Sequence, residues 1–209
     1  MREAVVVKIG GSVSSNLSAI VSDLKDCIRI KVCKKIIIVP GGWIFADMVR
    51  KLGIDGSTAH WMAVASIDIY GYYISSFGAE LVDSDDFNFN IDGVAVMLLH
   101  RLLRRYDELP HSWDVTSDSI SIWLAEKLGV KEVVKLTDVD GVIIDGKIAE
   151  KVCVEELMNI ETCIDKCSPF LMKKYRINMF VCNGLKNRVK DYILRGQAVG
   201  TLIDAHADK

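Results

Sequence analysis

The chain has 209 residues, half of them apolar, with 26 basic against 28 acidic side chains and a formal net charge of −2. That length buries one substantial core, so a single domain over 1–209 is expected, and the balanced charge excludes a global field for nucleic acid or an anionic membrane. No run of about 18 uninterrupted apolar residues occurs, and Lys8 and glycine break the first apolar stretch too early for a signal peptide, so a cytoplasmic protein is expected.

Strand-length apolar runs alternate with helix-period segments, the pattern of an open α/β sheet. Ala4 to Ile9 reads as a buried strand ending in Gly10-Gly11-Ser12. Leu17, Ile20, Val21, Leu24 and Ile28 then share one helical face. Ile36 to Val39 is a second strand, stopped by Pro40-Gly41-Gly42, and helices follow from about Ile44 to Leu52 and Thr58 to Ser76. The second of these is apolar beyond one face, which suits either a homo-oligomer contact or core burial. Gly78 to Asn90 shows no clear period. Gly93 to Leu99 is a strand, and the basic Leu98 to Arg105 reads as a surface amphipathic turn. Thr116 caps a helix to about Leu128. Glu132 to Leu136 is a strand, Thr137 to Gly141 a turn, and Val142 to Ile148 a hairpin around Asp145-Gly146. Short helices near Glu155 to Asn159 and Pro169 to Tyr175, a strand from Asn178 to Cys182, a helix from Asn187 to Leu194 and a strand from Gly200 to Ile203 complete the chain. The six cysteines form no CxxC pair and have no histidine at ligand spacing, so free and mostly buried thiols are expected.

Chemistry gathers where strands end, because ligands of open α/β sheets sit outside the carboxyl ends of the strands. Three glycine-bearing turns follow apolar strands: Gly10-Gly11-Ser12, Gly41-Gly42, and Thr137-Asp138-Val139-Asp140-Gly141. Glycine lets main-chain N–H groups approach an anion closely; the plain alternative is that it only turns the chain. Lys8 lies inside an apolar strand, where an ammonium is expensive to bury without an anionic partner; a solvated lysine on an edge strand is the alternative. Thr116-Ser117-Asp118-Ser119 offers cap oxygens or, with the helix N-terminus, N–H groups for a phosphate. Asp118 then orients Lys8 or holds magnesium. Neither GxxxxGK[ST] nor GxGxxG follows a strand, which argues against a P-loop or a dinucleotide site, and no histidine neighbours a nucleophile elbow.

In order, KIGGS (Lys8 to Ser12), VPGG (Val39 to Gly42), TSDS (Thr116 to Ser119), LTDVDGV (Leu136 to Val142) and GTLI (Gly200 to Ile203) resemble the amino acid kinase superfamily. The resemblance implies a three-layer αβα sandwich with a mainly parallel central sheet. It implies ATP over the C-terminal strands and a phosphorylated small-molecule acceptor over the N-terminal half. Lys8 would neutralise the transferring phosphoryl group, and Asp118 would position that lysine and a magnesium ion carried by ATP, with no protein metal site assigned. Gly10, Gly11, Ser12, Gly41 and Gly42 would line the phosphates, while Thr137, Asp138 and Asp140 would border the nucleotide. The GGMxxK stretch of many relatives is replaced by Cys163 to Phe170, leaving Lys166, Lys173 and Lys174 as undecided sources of a second cation. AHWMAV (Ala59 to Val64) and ELPHSWDVTSDSI (Glu108 to Ile120) look like the archaeal kinases of methanofuran biosynthesis. This implies 5-(aminomethyl)-3-furanmethanol phosphate as acceptor. His60, Trp61, His111, Trp113, Asp114, Thr116 and Ser117 would then lie beside it, with a carboxylate such as Asp114 on its ammonium. A nucleoside monophosphate or isopentenyl phosphate kinase is the alternative within the class, and a non-catalytic oxyanion or nucleotide binder the alternative outside it.

Overall fold

In the computed structural model, which describes residues 1–158 and 160–206, the chain forms ten strands and seven helices. β1 (Arg2–Ile9), α1 (Leu17–Arg29), β2 (Cys33–Pro40), α2 (Trp43–Lys51) and α3 (Gly56–Ser75) form the first third. β3 (Glu80–Asp83), β4 (Gly93–Leu98), α4 (His100–Tyr106), α5 (Ser117–Lys127) and β5 (Glu132–Thr137) follow. The remainder is β6 (Ile143–Ile144), β7 (Lys147–Ile148), β8 (Lys151–Cys153), α6 (Ser168–Tyr175), β9 (Asn178–Asn183), α7 (Arg188–Arg195) and β10 (Gly200–Asp204).

Eight strands make one sheet in the order β3-β4-β2-β1-β5-β9-β10-β8, and β6 and β7 pair as a separate hairpin. Every pairing from β3 to β9 is parallel; β10 runs antiparallel to β9 and parallel to β8. The expected αβα sandwich is therefore present. β1 shows how the pleat sorts its side chains, since successive residues point to opposite faces. Val5, Val7 and Ile9 pack with Leu17, Ile20 and Leu24 of α1 and Val189 and Ile193 of α7. Val6 faces the other layer with Ile122 and Trp123 of α5 and Met172 of α6. Lys8 shares the parity of Val6, so it too points toward α5.

The stretch without clear period contains the edge strand β3, and β8 at the opposite edge is a three-residue strand too short to show a period. The basic segment expected as a surface turn is a helix, α4. Leu102 and Leu103 are buried, while Arg101 and Arg105 pair outward with Asp83 and Asp85. The helix expected near Glu155 is a 3-10 turn over Val154–Leu157; its expected end, Asn159, lies outside the described residues. No disulfide joins any of the six cysteines, three of which are buried. Among the described residues no helix is long and apolar enough to cross a membrane.

Candidate active site

The carboxyl ends of β1 and β2 and the N-terminus of α5 meet at a cleft of about 780 Å³, whose lining includes Lys8, Gly11, Ser12, Gly41, Gly42, His60, His111, Trp113, Thr116 and Ser117. Lys8 is buried at the floor, with its ammonium 2.9 Å from Asp118 Oδ1. A second lysine meets the same carboxylate. Lys135 of β5 stands opposite Lys8 in the strand register, places Nζ 2.5 Å from Asp118 Oδ2, and donates to the Cys163 carbonyl. Asp118 therefore lies between two ammonium groups, all three side chains less than a tenth exposed. Burial alone would raise the Asp118 pKa, but the attraction of Lys135 and Lys8 holds it at about 2. Burial lowers the Lys8 pKa against the opposing pull of Asp118. The cluster keeps its charges because Asp118 stands between the two ammonium groups and the Asp165 carboxylate adds to the attraction on Lys8, the one of the three that lines the cleft.

The glycine turns divide their amides between two duties. Gly10 N–H donates to Leu136 O at 2.9 Å and Gly41 N–H to Ile9 O at 2.8 Å, tying the strand ends together. Those two amides are not available as phosphate donors, which corrects the expectation from sequence. Gly11 and Gly42, both lining the cleft, have no acceptor for their N–H among the described residues. A Cβ on Gly11 would stand 2.6 Å from Trp43 Cα, and one on Gly42 would stand 2.3 Å from Ala46 Cβ. Trp43 itself holds φ of 48°, a left-handed conformation that costs a bulky residue about 1–3 kcal/mol and persists where surroundings enforce it. Here its ring stacks on Tyr73 at 5.3 Å.

At the start of α5, the Thr116 hydroxyl accepts from Asp118 N–H and donates to Asp165 Oδ2. Ser117 is buried and lines the cleft. Asp165, unnoticed in the sequence, accepts from the N–H and hydroxyl of Thr116, Ser119 and Ser168, joining the N-termini of α5 and α6. Its own N–H lies 3.3 Å from Asp118 Oδ2.

The outer wall of the cleft is aromatic. His60 and His111 stack with ring centroids 4.2 Å apart, and Trp61 packs edge-on against both from behind. His111 Nε2–H donates to Asp107 Oδ1 at 2.7 Å, and the Ser57 hydroxyl lies 2.7 Å from Nδ1. Burial, reinforced by His111, pushes the His60 pKa down to about 4, so this imidazole is neutral near pH 7. Arg50 lies over the Trp113 ring at 4.7 Å and closes the rim between α2 and the loop before α5.

Other expected site residues fall elsewhere. Asp114 lines a neighbouring cleft of about 760 Å³ that shares Trp113 and Thr116 with the first, lies 3.9 Å from Lys166, and is not among the residues lining the first cleft. Thr137, Asp138 and Asp140 sit at and beyond the end of β5, outside the first cleft. Asp140 is engaged by Lys186, Arg188 and Asn183, so it knits the β5 and β9 ends together. Lys166 and Lys173 pair with Asp114 and Glu155, and Lys174 lies over Tyr175, whereas Lys135 is the lysine that stands beside Lys8 on Asp118. A magnesium ion does not fit at Asp118, because two ammonium groups already neutralise that carboxylate. Among the described residues no group of three acidic, histidine or cysteine side chains could hold a metal.

The model of the amino acid kinase family matches residues 3–183. The chain is 33% identical over 206 residues to the [5-(aminomethyl)furan-3-yl]methyl phosphate kinase of Methanocaldococcus jannaschii, covering 92% of this chain and 93% of that protein. Among solved structures it is similar to UMP kinase from Bacillus anthracis, with a TM-score of 0.76 and 20% identity over 98% of this chain and 97% of the other. It is also similar to uridylate kinase from Archaeoglobus fulgidus, with a TM-score of 0.72 and 19% identity over 97% and 100% of the two chains.

Proposed function

The chain belongs to the amino acid kinase family and is a phosphotransferase, and from that premise we propose that it transfers the terminal phosphoryl group of ATP to the phosphate of 5-(aminomethyl)-3-furanmethanol phosphate, giving the diphosphate. The observation that carries this reading is the pair of buried ammonium groups, Lys8 and Lys135, sharing Asp118, with Lys8 at the floor of the cleft. Phosphoryl transfer needs alignment and charge stabilisation rather than covalent help, and this cluster supplies fixed positive charge without reorganisation.

In this reading 1–209 acts as one domain, with the acceptor over the N-terminal strands and ATP over the ends of β5 and β9. Lys8 and Lys135 are the catalytic residues: they offset negative charge as it builds on the transferring oxygens. Asp118 is a positioning residue that fixes both lysines at the separation set by adjacent strands. The free amides of Gly11 and Gly42 and the start of α5 at Ser117 hold the acceptor phosphate. A magnesium ion carried by ATP would supply neutralising charge, with no side chain of this chain assigned to hold it. His60, His111 and Trp113 flank the furan ring.

A turnover assay with ATP and magnesium tests the reading, using the aminomethylfuran phosphate, uridylate and isopentenyl phosphate in parallel. The furan diphosphate is the expected product. Preference for uridylate or isopentenyl phosphate would overturn the acceptor, and an inert protein would overturn the kinase reading itself.

A further inference from the structure

The charges lining the cleft are not evenly spread. At the buried floor Lys8 lines the cleft, and behind it Lys135 shares the Asp118 carboxylate, with Asp165 close by. At the rim, Arg50 is matched by Asp47 at 3.0 Å, but Asp55 is not matched. Asp55 precedes α3 as its N-cap, yet its side chain makes no cap hydrogen bond and no ion pair among the described residues. One turn along the same helix, His60 lines the cleft at 9% exposure with no hydrogen-bond partner for its ring nitrogens among the described residues. Those nitrogens are not among the fully buried unpartnered side-chain atoms, so they open onto the cleft, where a ligand can reach them. Here the ring cannot easily turn away, since His111 stacks on one side and Trp61 packs on its edge. His111 is held in turn by Asp107 and Ser57.

We propose that this outer end of the cleft seats a protonated amine of the acceptor, with Asp55 as its counter-ion and a His60 ring nitrogen as a hydrogen-bond acceptor. The cleft then selects zwitterions, taking the phosphate at the lysine floor and the ammonium at the rim. Neutrality of His60 suits this role, because an imidazolium would repel the amine and has no lone pair to offer. Asp114, in the other cleft, has no part in it. This assignment rests on the proposed acceptor and makes Asp55 and His60 its specificity-determining residues.

The test compares the aminomethylfuran phosphate with its methylfuran counterpart, which lacks the amine. Binding by calorimetry and kcat/KM are measured for the wild type, Asp55→Asn and His60→Phe; the phenyl ring keeps the stack and removes the nitrogens. The wild type is expected to favour the amine by tenfold or more, and each substitution to cut that preference by about tenfold, since a hydrogen bond to a charged group contributes about 1.5–3 kcal/mol. The effect should fall on KM rather than kcat. Equal affinity of the wild type for both ligands, or a preference that both variants retain, overturns the inference while leaving the kinase reading intact. If neither compound is turned over, the proposed acceptor falls, and the binding preference alone then decides the inference. Failure of the wild type to bind either compound overturns both.

Discussion

Lys8 and Lys135 occupy directly opposed positions on the adjacent parallel strands β1 and β5, and both reach the carboxylate of Asp118. Neighbouring parallel strands lie about 4.8 Å apart, and the pleat sends opposed residues to the same face. Two like charges so close repel each other unless a counter-ion stands between them. The sheet therefore sets the spacing of the cations, and α5 supplies the anion that makes the spacing tolerable.

Replacing Lys135 by methionine keeps the buried stem and removes the charge. Turnover is expected to fall by about 10²–10³, the typical loss when one preorganised charge-stabilising group is deleted. KM for the acceptor should change only a few-fold. Steady-state kinetics checks this, and a variant within fivefold of wild-type kcat would remove Lys135 from the chemistry.

Asp118→Asn leaves two buried ammonium groups with a neutral amide between them. Breaking a buried charge cluster by removing one partner costs about 3–5 kcal/mol. Urea denaturation should show a lower midpoint with an unchanged slope. Lys135→Met, which leaves one lysine on one carboxylate, should be the milder change, and the reverse order would contradict the shared-counter-ion arrangement.

Stability should fall toward acid pH in two windows. His60 has its folded pKa at about 4, below the usual 6.5, so its contribution is complete above 6.5 and lost as pH falls toward 4. Asp118 is held at about 2 against the usual 3.8, so its contribution is lost only as pH falls through that lower range. One proton taken up on unfolding gives a slope of at most about 1.4 kcal/mol per pH unit. His60→Phe should flatten the upper window and leave the lower one, as read from urea midpoints at successive pH values. An unflattened profile would place the titration elsewhere.

Asp165→Ala removes the acceptor for six hydrogen bonds at the starts of α5 and α6. Each donor left unsatisfied in a part-buried site costs about 1–3 kcal/mol, softened where water enters. Hydrogen exchange should quicken at Ser119 and Ser168 while β1 and β2 stay protected. Uniform quickening across the sheet would instead mean global loss of stability.

Much of the site can be read from the residues alone, because the signals are local. Lys8 announces itself as a lysine inside an apolar strand, and the paired glycines and Thr116 at the start of α5 carry their reasons in adjacent residues. Lys135 bears the same mark as Lys8, a lysine within Glu132-Val133-Val134-Lys135-Leu136-Thr137, and that signal was open to recognition. Its pairing with Lys8 depends on β5 lying beside β1, a matter of topology rather than of local pattern. Asp165 gives only the local sign of a cap three residues before Ser168, since its partners on α5 lie 46 and 49 residues away. Asp114 is the opposite case: it follows Trp113 directly in a turn, but where Trp113 lines both clefts Asp114 lines only the second. Gly10 and Gly41 look like Gly11 and Gly42 until the sheet consumes their amides.

The bond from Lys135 to the Cys163 carbonyl fastens the reacting centre to a connecting segment rather than to the sheet. That segment is anchored through Asp165, whose ties can release while the strands remain paired. Warming the protein should therefore extinguish phosphoryl transfer some degrees before circular dichroism registers any melting, with recovery on cooling because the scaffold was never lost.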